Sequence, residues 1–339
     1  MRIKFWGVRG SVPSPLTLVQ VEEKLRDVML AHSERVIYGA IGPEGVEEFL
    51  QELPFYKRGT YGGNTSCVEV MCCGDERLIL DMGTGLRELG NSLMKEMFEN
   101  MGIKVNFLLS HMHWDHIRGL PFYSPLYINR ELGIENHWIF YGGTDWQRKA
   151  EICLQGQMDP PNFPVSWAEI CKMTHRIEFN GIYDKMQIGR LRSNFMTRKL
   201  NHPQETYGYR VVEHGSGVVL AYTTDNEPYD PLEPDPRLLE LAQGADVWIT
   251  DCQYTQDQYN GKENAGGVPR HGWGHSYDIA VAKTAVMAKV KTVVLFHHDP
   301  ASDDKKIWEM EQKVKHLIRE MGGASTVIAA HEGLELNLE

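Results

Sequence analysis

The chain has 339 residues, 42% of them hydrophobic and 24% charged, which is the make-up of an ordinary globular protein whose core needs no covalent staples. Its formal net charge of −11 lowers the weight of a long nucleic acid as substrate, because a protein that neutralises many phosphates usually carries a basic surface; a small anion stays open, since bound metal cations can dominate a local field. No apolar run approaches the roughly 20 residues of a membrane-spanning helix, and MRIKFWGVRGSVPSP lacks the apolar stretch of a signal peptide, so a cytoplasmic protein without membrane contact is expected.

Residues 2–8 read as an opening strand ended by Gly10 and Pro13. From Val19 to Leu53 the apolar spacing turns helical, as an insertion between strands. GTYGGN (59–64) is a turn, followed by strand SCVEVMCC, a turn at Gly74-Asp75, and strand RLILDMG. GLRELGNSLMKEMFEN is an amphipathic helix, and VNFLLS (105–110) a continuous apolar strand. Residues 121–195 are rich in Pro, Gly and aromatics and predict shorter, weaker elements. YGYRVVE and GVVLAYTTD form a hairpin-like pair around His214-Gly215-Ser216-Gly217. Helices and strands then alternate through PRLLELAQGA, DVWITDCQY, DIAVAKTAVMAKV and KTVVLFHHDP, before a long helix at about 303–321 and a last strand, STVIAA. Strands in both halves with helices between them indicate an α/β sandwich, expected as one domain over 1–339 with insertions at about 17–58 and 125–190. Cys67, Cys72, Cys73, Cys153, Cys171 and Cys252 lack C-x-x-C spacing, which fits reduced thiols and argues against a cysteine zinc ribbon.

The strongest chemical signal is His111-Met112-His113-Trp114-Asp115-His116, four potential ligands at the end of a buried strand. A turn leaving that strand can direct His111 and His113 to one cation, and Asp115 and His116 to a neighbour about 3.5–4 Å away. The bland alternative, a polar surface run, is outweighed by this density of ligand types. More ligands must come from other strand ends. His202 follows FMTRKL, Asp225 ends VVLAYTTD where a carboxylate could bridge two cations, and His297 ends KTVVLF with His298 as its rival. Singly, each of these histidines reads as structural; their shared position at strand C-termini favours ligation. Asp81, at a neighbouring strand end, reads as a partner fixing a ligand imidazole. Gly83-Thr84-Gly85 could offer amides to an anion or simply make a tight turn. Trp114, Phe122, Tyr123, Trp273 and Tyr277 flank the motifs, as pocket wall, core, or stacking platform.

In order along the chain, Gly7, GGNTSCVEV, LILDMGTGLREL, SHMHWDHIRGLPF, the His202 segment, YTTD, GHSYDIAVAKTAV and VVLFHHDP resemble the metallo-β-lactamase superfamily, and within it the ribonuclease Z-like phosphodiesterase branch. Gly274-His275-Ser276 followed by VVLFHH carries the resemblance to that branch. The resemblance implies a four-layer αββα sandwich with helical insertions. It implies that His111, His113 and His202 hold one metal, that Asp115, His116 and His297 hold the other, and that Asp225 bridges them. His275 would assist the leaving group and Asp115 would orient a metal-bridging hydroxide. Two divalent ions are expected, zinc favoured, with manganese or iron also suited to nitrogen and oxygen ligands. A homodimer is a family-level expectation.

The leading functional expectation is hydrolysis of a small phosphodiester, with a cyclic nucleotide as the favoured class. The alternatives are a ribonuclease Z-like ribonuclease, for which a basic Gly-rich arm is missing from the sequence, and a carboxyl-ester, lactone or thioester hydrolase on the same fold. A binding or sensing protein that keeps the fold without catalysis is the remaining class.

Overall fold

The computed structural model describes residues 1–38, 45–72, 76–142, 146–186, 188, 194–213, 215–230, 233–262 and 267–338; Cys73, the Gly74-Asp75 turn and His214 lie outside them. Two sheets form the frame. The first contains β1 (Arg2–Gly7), β2 (Cys67–Cys72), β3 (Glu76–Leu80), β4 (Lys104–Leu108), β5 (His137–Gly142) and β6 (Arg176–Gly181). The second contains β7 (Asn194–Leu200), β8 (Thr206–Val212), β9 (Val219–Thr223), β10 (Val247–Asp251), β11 (Thr292–Phe296) and β12 (Thr326–Ala329), while β13 (Glu335–Asn337) returns to the first sheet beside β1. The orders are β13-β1-β2-β3-β4-β5-β6 and β12-β11-β10-β9-β8-β7. Each sheet has a parallel run, β3 to β6 in one and β9 to β12 in the other, flanked by antiparallel strands.

Alternation along the strands builds the layers. Leu78 and Leu80 of β3 and Ile139 and Tyr141 of β5 enter a core shared with Tyr209, Tyr222, Ile249 and Phe296 of the second sheet. The intervening side chains point the other way. Ile79, Phe107, Trp138 and Phe140 meet α4 (Leu86–Glu99), α6 (Trp146–Met158) and α7 (Trp167–Met173). On the opposite side, Trp248, Val293 and Leu295 meet α8 (Pro236–Ala242), α10 (Asp278–Met287) and α11 (Asp304–Glu320). The result is helix, sheet, sheet, helix, as expected. The remaining helices are α1 (Leu18–Tyr38), α2 (Val46–Glu52), α3 (Phe55–Arg58), α5 (Trp114–Ile117) and α9 (Gln256–Tyr259).

The segment 125–190 departs from the expectation of short, weak elements. It supplies β5 and β6, which extend the first sheet in parallel, and the covering helices α6 and α7. The strand HWIFYG is buried on both faces, so its sequence is a plain apolar run with no alternation to announce a sheet strand. Among the described residues between Val19 and Leu53 the chain is helical as read, and Phe55 and Tyr56 pack beside Tyr61 and Ile307. Among the described residues no helix is long and apolar enough to cross a membrane. Five cysteines, Cys67, Cys72, Cys153, Cys171 and Cys252, are free thiols.

Candidate active site

The C-terminal ends of the strands converge on one cleft. Asp81 follows β3, His111 to His116 follow β4, His202 follows β7, Asp225 follows β9, Asp251 ends β10, and His297 follows β11. Three of these sit in the left-handed backbone region that residues with a Cβ seldom adopt: Asp81 at φ 59°, Asp225 at φ 55° and His297 at φ 56°. Such strained residues persist where the surrounding fold over-determines them and side-chain direction matters.

Among the described residues four overlapping ligand-like groups emerge, of which His111, His116 and Asp225 form one and Asp225, His275 and His297 another. His111, His113 and His202 form a third, with His111 Nε2 3.0 Å and His202 Nε2 3.1 Å from His113 Nδ1. Asp115, His116 and His297 form the fourth, with His116 Nε2 and His297 Nε2 3.2 Å apart and His297 Nε2 3.0 Å from Asp115 Oδ2. Asp225 stands between these last two. Its Oδ1 lies 3.8 Å from His111 Nε2 and 4.0 Å from His202 Nε2, and its Oδ2 lies 3.2 Å from His116 Nε2 and 3.4 Å from His297 Nε2. Of the two rivals after β11, His297 enters the cleft, whereas His298 donates from Nε2 to Ala330 O at 2.9 Å on the other side. Only glycine fits beside His297 on the exit from β1, because a Cβ on Gly10 would come within 2.5 Å of the imidazole.

Partners behind the imidazoles fix their tautomers. His116 Nδ1 donates to Asp81 Oδ2 at 2.8 Å, and Ser110 Oγ donates to the same oxygen at 2.8 Å. Ser110 Oγ can in turn accept from His111 Nδ1 at 3.0 Å. His202 Nδ1 donates to Gly274 O at 2.9 Å. Each arrangement leaves Nε2 bearing its lone pair toward the cleft. Asp81 thus has the supporting position read from the sequence, and it also accepts from Ser110 N at 2.7 Å and Tyr222 Oη at 2.7 Å.

This donor set fits divalent cations. Three imidazole nitrogens converge with lone pairs facing one another, and nitrogens about 2.0–2.1 Å from a tetrahedral ion stand roughly 3.3 Å apart. Burial, the largest cause, holds His111, His113 and His202 below the ordinary histidine range. His116 is opposite. Burial alone would lower it, but Asp115, Asp225 and Asp81 outweigh burial and raise it, so the carboxylates draw positive charge to this spot. Burial would raise Asp115 and Asp225, yet the adjacent imidazoles keep both well below the usual carboxylate range. No Lys or Arg is among the described residues lining the cleft, whose volume is about 510 Å³.

His275 lines the same cleft, buried, with Nδ1 3.3 Å from Asp251 Oδ2. Burial would lower it, but the hydrogen bond to Asp251 and the charges of Asp225, Asp251 and Asp115 raise it. Sequence reasoning missed Asp251, although a carboxylate ending a strand was the signal used for Asp81. It also missed Glu227, which accepts from Tyr259 Oη at 2.6 Å, Gly272 N at 2.8 Å and Gly274 N at 2.8 Å and so pins the loop that carries His275. Ser11 N, donating to Asp115 Oδ2 at 2.7 Å, had no sequence signal.

Two open readings close. The amides at Gly83, Thr84 and Gly85 are spent on Ser66 O, Thr65 Oγ1 and Thr65 O, so this turn is structural rather than an anion cradle. Tyr123 and Tyr277 are core, whereas Trp114, Phe122 and Trp273 are exposed.

A four-layer sandwich with His/Asp clusters gathered at its strand ends defines the metallo-β-lactamase fold, which typically binds divalent metals. Residues 104–298 match the family described as the beta-lactamase superfamily domain, and the chain belongs to that superfamily, whose members are generally hydrolases. It is similar to ribonuclease Z of Prochlorococcus marinus subsp. pastoris, 26% identical over 241 residues that make up 68% of this chain and 69% of that one. Among solved structures, the metallo-β-lactamase fold protein YhfI from Bacillus subtilis superposes with a TM-score of 0.58 at 14% identity, covering 99% of this chain and 98% of that one. A diphosphatase from the PhnP family superposes with a TM-score of 0.56 at 18% identity, covering 100% and 98%. These two likenesses are of fold.

Proposed function

We propose that the chain is a two-metal phosphodiesterase acting on a small phosphodiester, with cyclic nucleotides as the favoured class. The observation that carries this reading is Asp225, whose two oxygens face the two His/Asp groups while His275, held from behind by Asp251, lines the same cleft. His111, His113 and His202 would hold one ion, and Asp115, His116 and His297 the other, with Asp225 between. Zinc suits this nitrogen-rich set best, with manganese or iron as substitutes. Ions so held would supply Lewis acidity and lower the pKa of a bound water toward about 7.

The chain's own residues do the rest. Asp115, tied to Ser11 N and His297, orients the attacking water and takes its proton. As water oxygen bonds to phosphorus, the opposite P–O bond breaks and the departing alkoxide needs a proton. His275 supplies it. Its Nδ1 is engaged by Asp251, which leaves Nε2 as the donor, and Asp251, Asp225 and Asp115 raise its basicity against the effect of burial, which favours the protonated ring.

Metal-loaded protein should hydrolyse bis-p-nitrophenyl phosphate and cyclic nucleotides. Inactivity on every phosphodiester, together with activity on a thioester, lactone or carboxyl ester, would overturn the reading. Replacing His275 with Ala should lower kcat by about 10²–10⁴ on a diester with an alkoxide leaving group, and far less on the p-nitrophenyl ester, whose leaving group needs no acid. Both metals should remain on that variant by elemental analysis. A second reading, a ribonuclease acting on precursor tRNA, is favoured by the likeness to ribonuclease Z. The net charge of −11 weighs against it, and a precursor-tRNA cleavage assay decides it.

A further inference from the structure

The cleft at the strand ends does not stop at the histidines. Met112 and Trp114, which line it, also line a second cavity of about 480 Å³ on the far side of the same turn. That size lies within the ~300–1,000 Å³ of small-molecule sites. Its lining is aromatic. Trp114 is 69% and Phe122 56% exposed, and both line this cavity, whereas the next residue, Tyr123, is fully buried. Phe163 closes a wall, meeting Phe122 edge to face at 5.8 Å, and the Arg118 guanidinium lies 5.5 Å from the Trp114 ring.

The polar lining narrows the ligand further. Gln157 donates its amide nitrogen to Ile117 O at 3.2 Å, and Asn162 donates to Gly156 O at 2.9 Å. Each residue keeps its amide carbonyl and its second amide N–H to offer a ligand, and Arg118 adds donors. A flat ring can stack on exposed aromatic faces, and hydrogen-bonding groups on its edge would use the amides. An aliphatic acyl chain would use neither.

We propose that this second cavity is a nucleobase subsite: Trp114, Phe122 and Phe163 receive the base of a nucleoside phosphate whose phosphate lies at the His/Asp groups across the shared Met112–Trp114 wall. It rests on the phosphodiesterase reading for the placement of the phosphate. Cys153, an exposed free thiol, lines the cavity and reports on it without any catalysis.

The test is peptide-resolved alkylation of Cys153 by iodoacetamide, with Cys171, the other exposed thiol among the described residues, as internal control. Adenosine 5′-monophosphate should slow labelling of Cys153 by a factor 1 + [L]/Kd, roughly tenfold at nine times Kd, and leave Cys171 unchanged. Ribose 5-phosphate and phenyl phosphate should protect much less, and Phe122→Ala, a change at an exposed side chain, should remove the protection by the nucleotide. No protection by the nucleotide, or equal protection by phenyl phosphate or ribose 5-phosphate, overturns the proposal. Protection without hydrolysis of any phosphodiester leaves the subsite standing and defeats the phosphodiesterase reading. Hydrolysis without protection defeats the subsite alone.

Discussion

Four imidazoles of the cleft have their Nδ1 engaged: His116 by Asp81, His111 by Ser110, His202 by Gly274 O and His275 by Asp251. For the first three the consequence is a lone pair aimed at a cation. For His275 it is a proton held in place. Buried carboxylates favour the imidazolium at both His116 and His275, and His275 is set apart by standing outside the two proposed groups of ligands, where Asp251, Asp225 and Asp115 raise it against the effect of burial. A group raised above the ordinary histidine range keeps its proton until the pH climbs through its folded pKa, so leaving-group protonation fails on the alkaline side of that pKa. Asp251→Asn removes the hydrogen bond to a charged partner and one of the charges. The alkaline limb of the kcat–pH profile should therefore move to lower pH on a substrate with an alkoxide leaving group. A limb that stays in place would show that Asp251 is only structural. The aromatic residues teach the same lesson about environment: Tyr123 and Phe122 are neighbours, yet one is core and the other lines a cavity.

At the scale of elements, the functional groups ride on turns that leave strands, and glycine decides how closely those turns approach. Gly274 has φ 84°, and a Cβ there would stand 2.1 Å from His202 Nδ1. The same residue accepts the proton of His202 through its carbonyl and donates its amide to Glu227 Oε2. Gly274→Ala should push the loop away from His202, open the first group of ligands, and lower bound metal from two toward one per chain, with kcat falling in step. Elemental analysis beside far-ultraviolet circular dichroism separates this from general unfolding; two metals retained at full activity would contradict it. These turns also mark what a single sequence reveals. HMHWDH was legible because four ligand types crowd into six positions, and His202, Asp225 and His297 because each ends a readable strand. Glu227 was not, because it lies beyond its strand end and its role exists only once residues 259, 272 and 274 fold back onto it. β5 was hidden for a different reason: a strand buried on both faces loses the period-two pattern that identifies a sheet.

At the scale of the whole molecule, the ligand-like residues come from both sheets. His111, His113, Asp115 and His116 leave the first sheet after β4, while His202, Asp225 and His297 leave the second after β7, β9 and β11. An α/β sandwich was legible from the alternation of helices and strands and its four layers from the family resemblance, but this division of labour was not, since it depends on how two sheets face one another. A cation held by groups from both would tie the sheets together at one edge of the central core. It would also neutralise the buried carboxylates of Asp115 and Asp225, whose charges otherwise raise His116. Binding to the folded chain alone adds RT ln(1 + [L]/Kd), about 4 kcal/mol for each site when free metal stands a thousandfold above Kd. At roughly 2–4 °C per kcal/mol for domains of about 150–250 residues, removing both metals should lower Tm by on the order of 10 °C or more. Calorimetry with and without a chelator measures this, and Asp225→Asn, which weakens the link between the two groups, should lose most of the metal-dependent part while keeping the metal-free Tm within a few degrees. If protein carrying two metals per chain melts at the same temperature after chelation, the ions do not join the sheets and their place is catalytic alone.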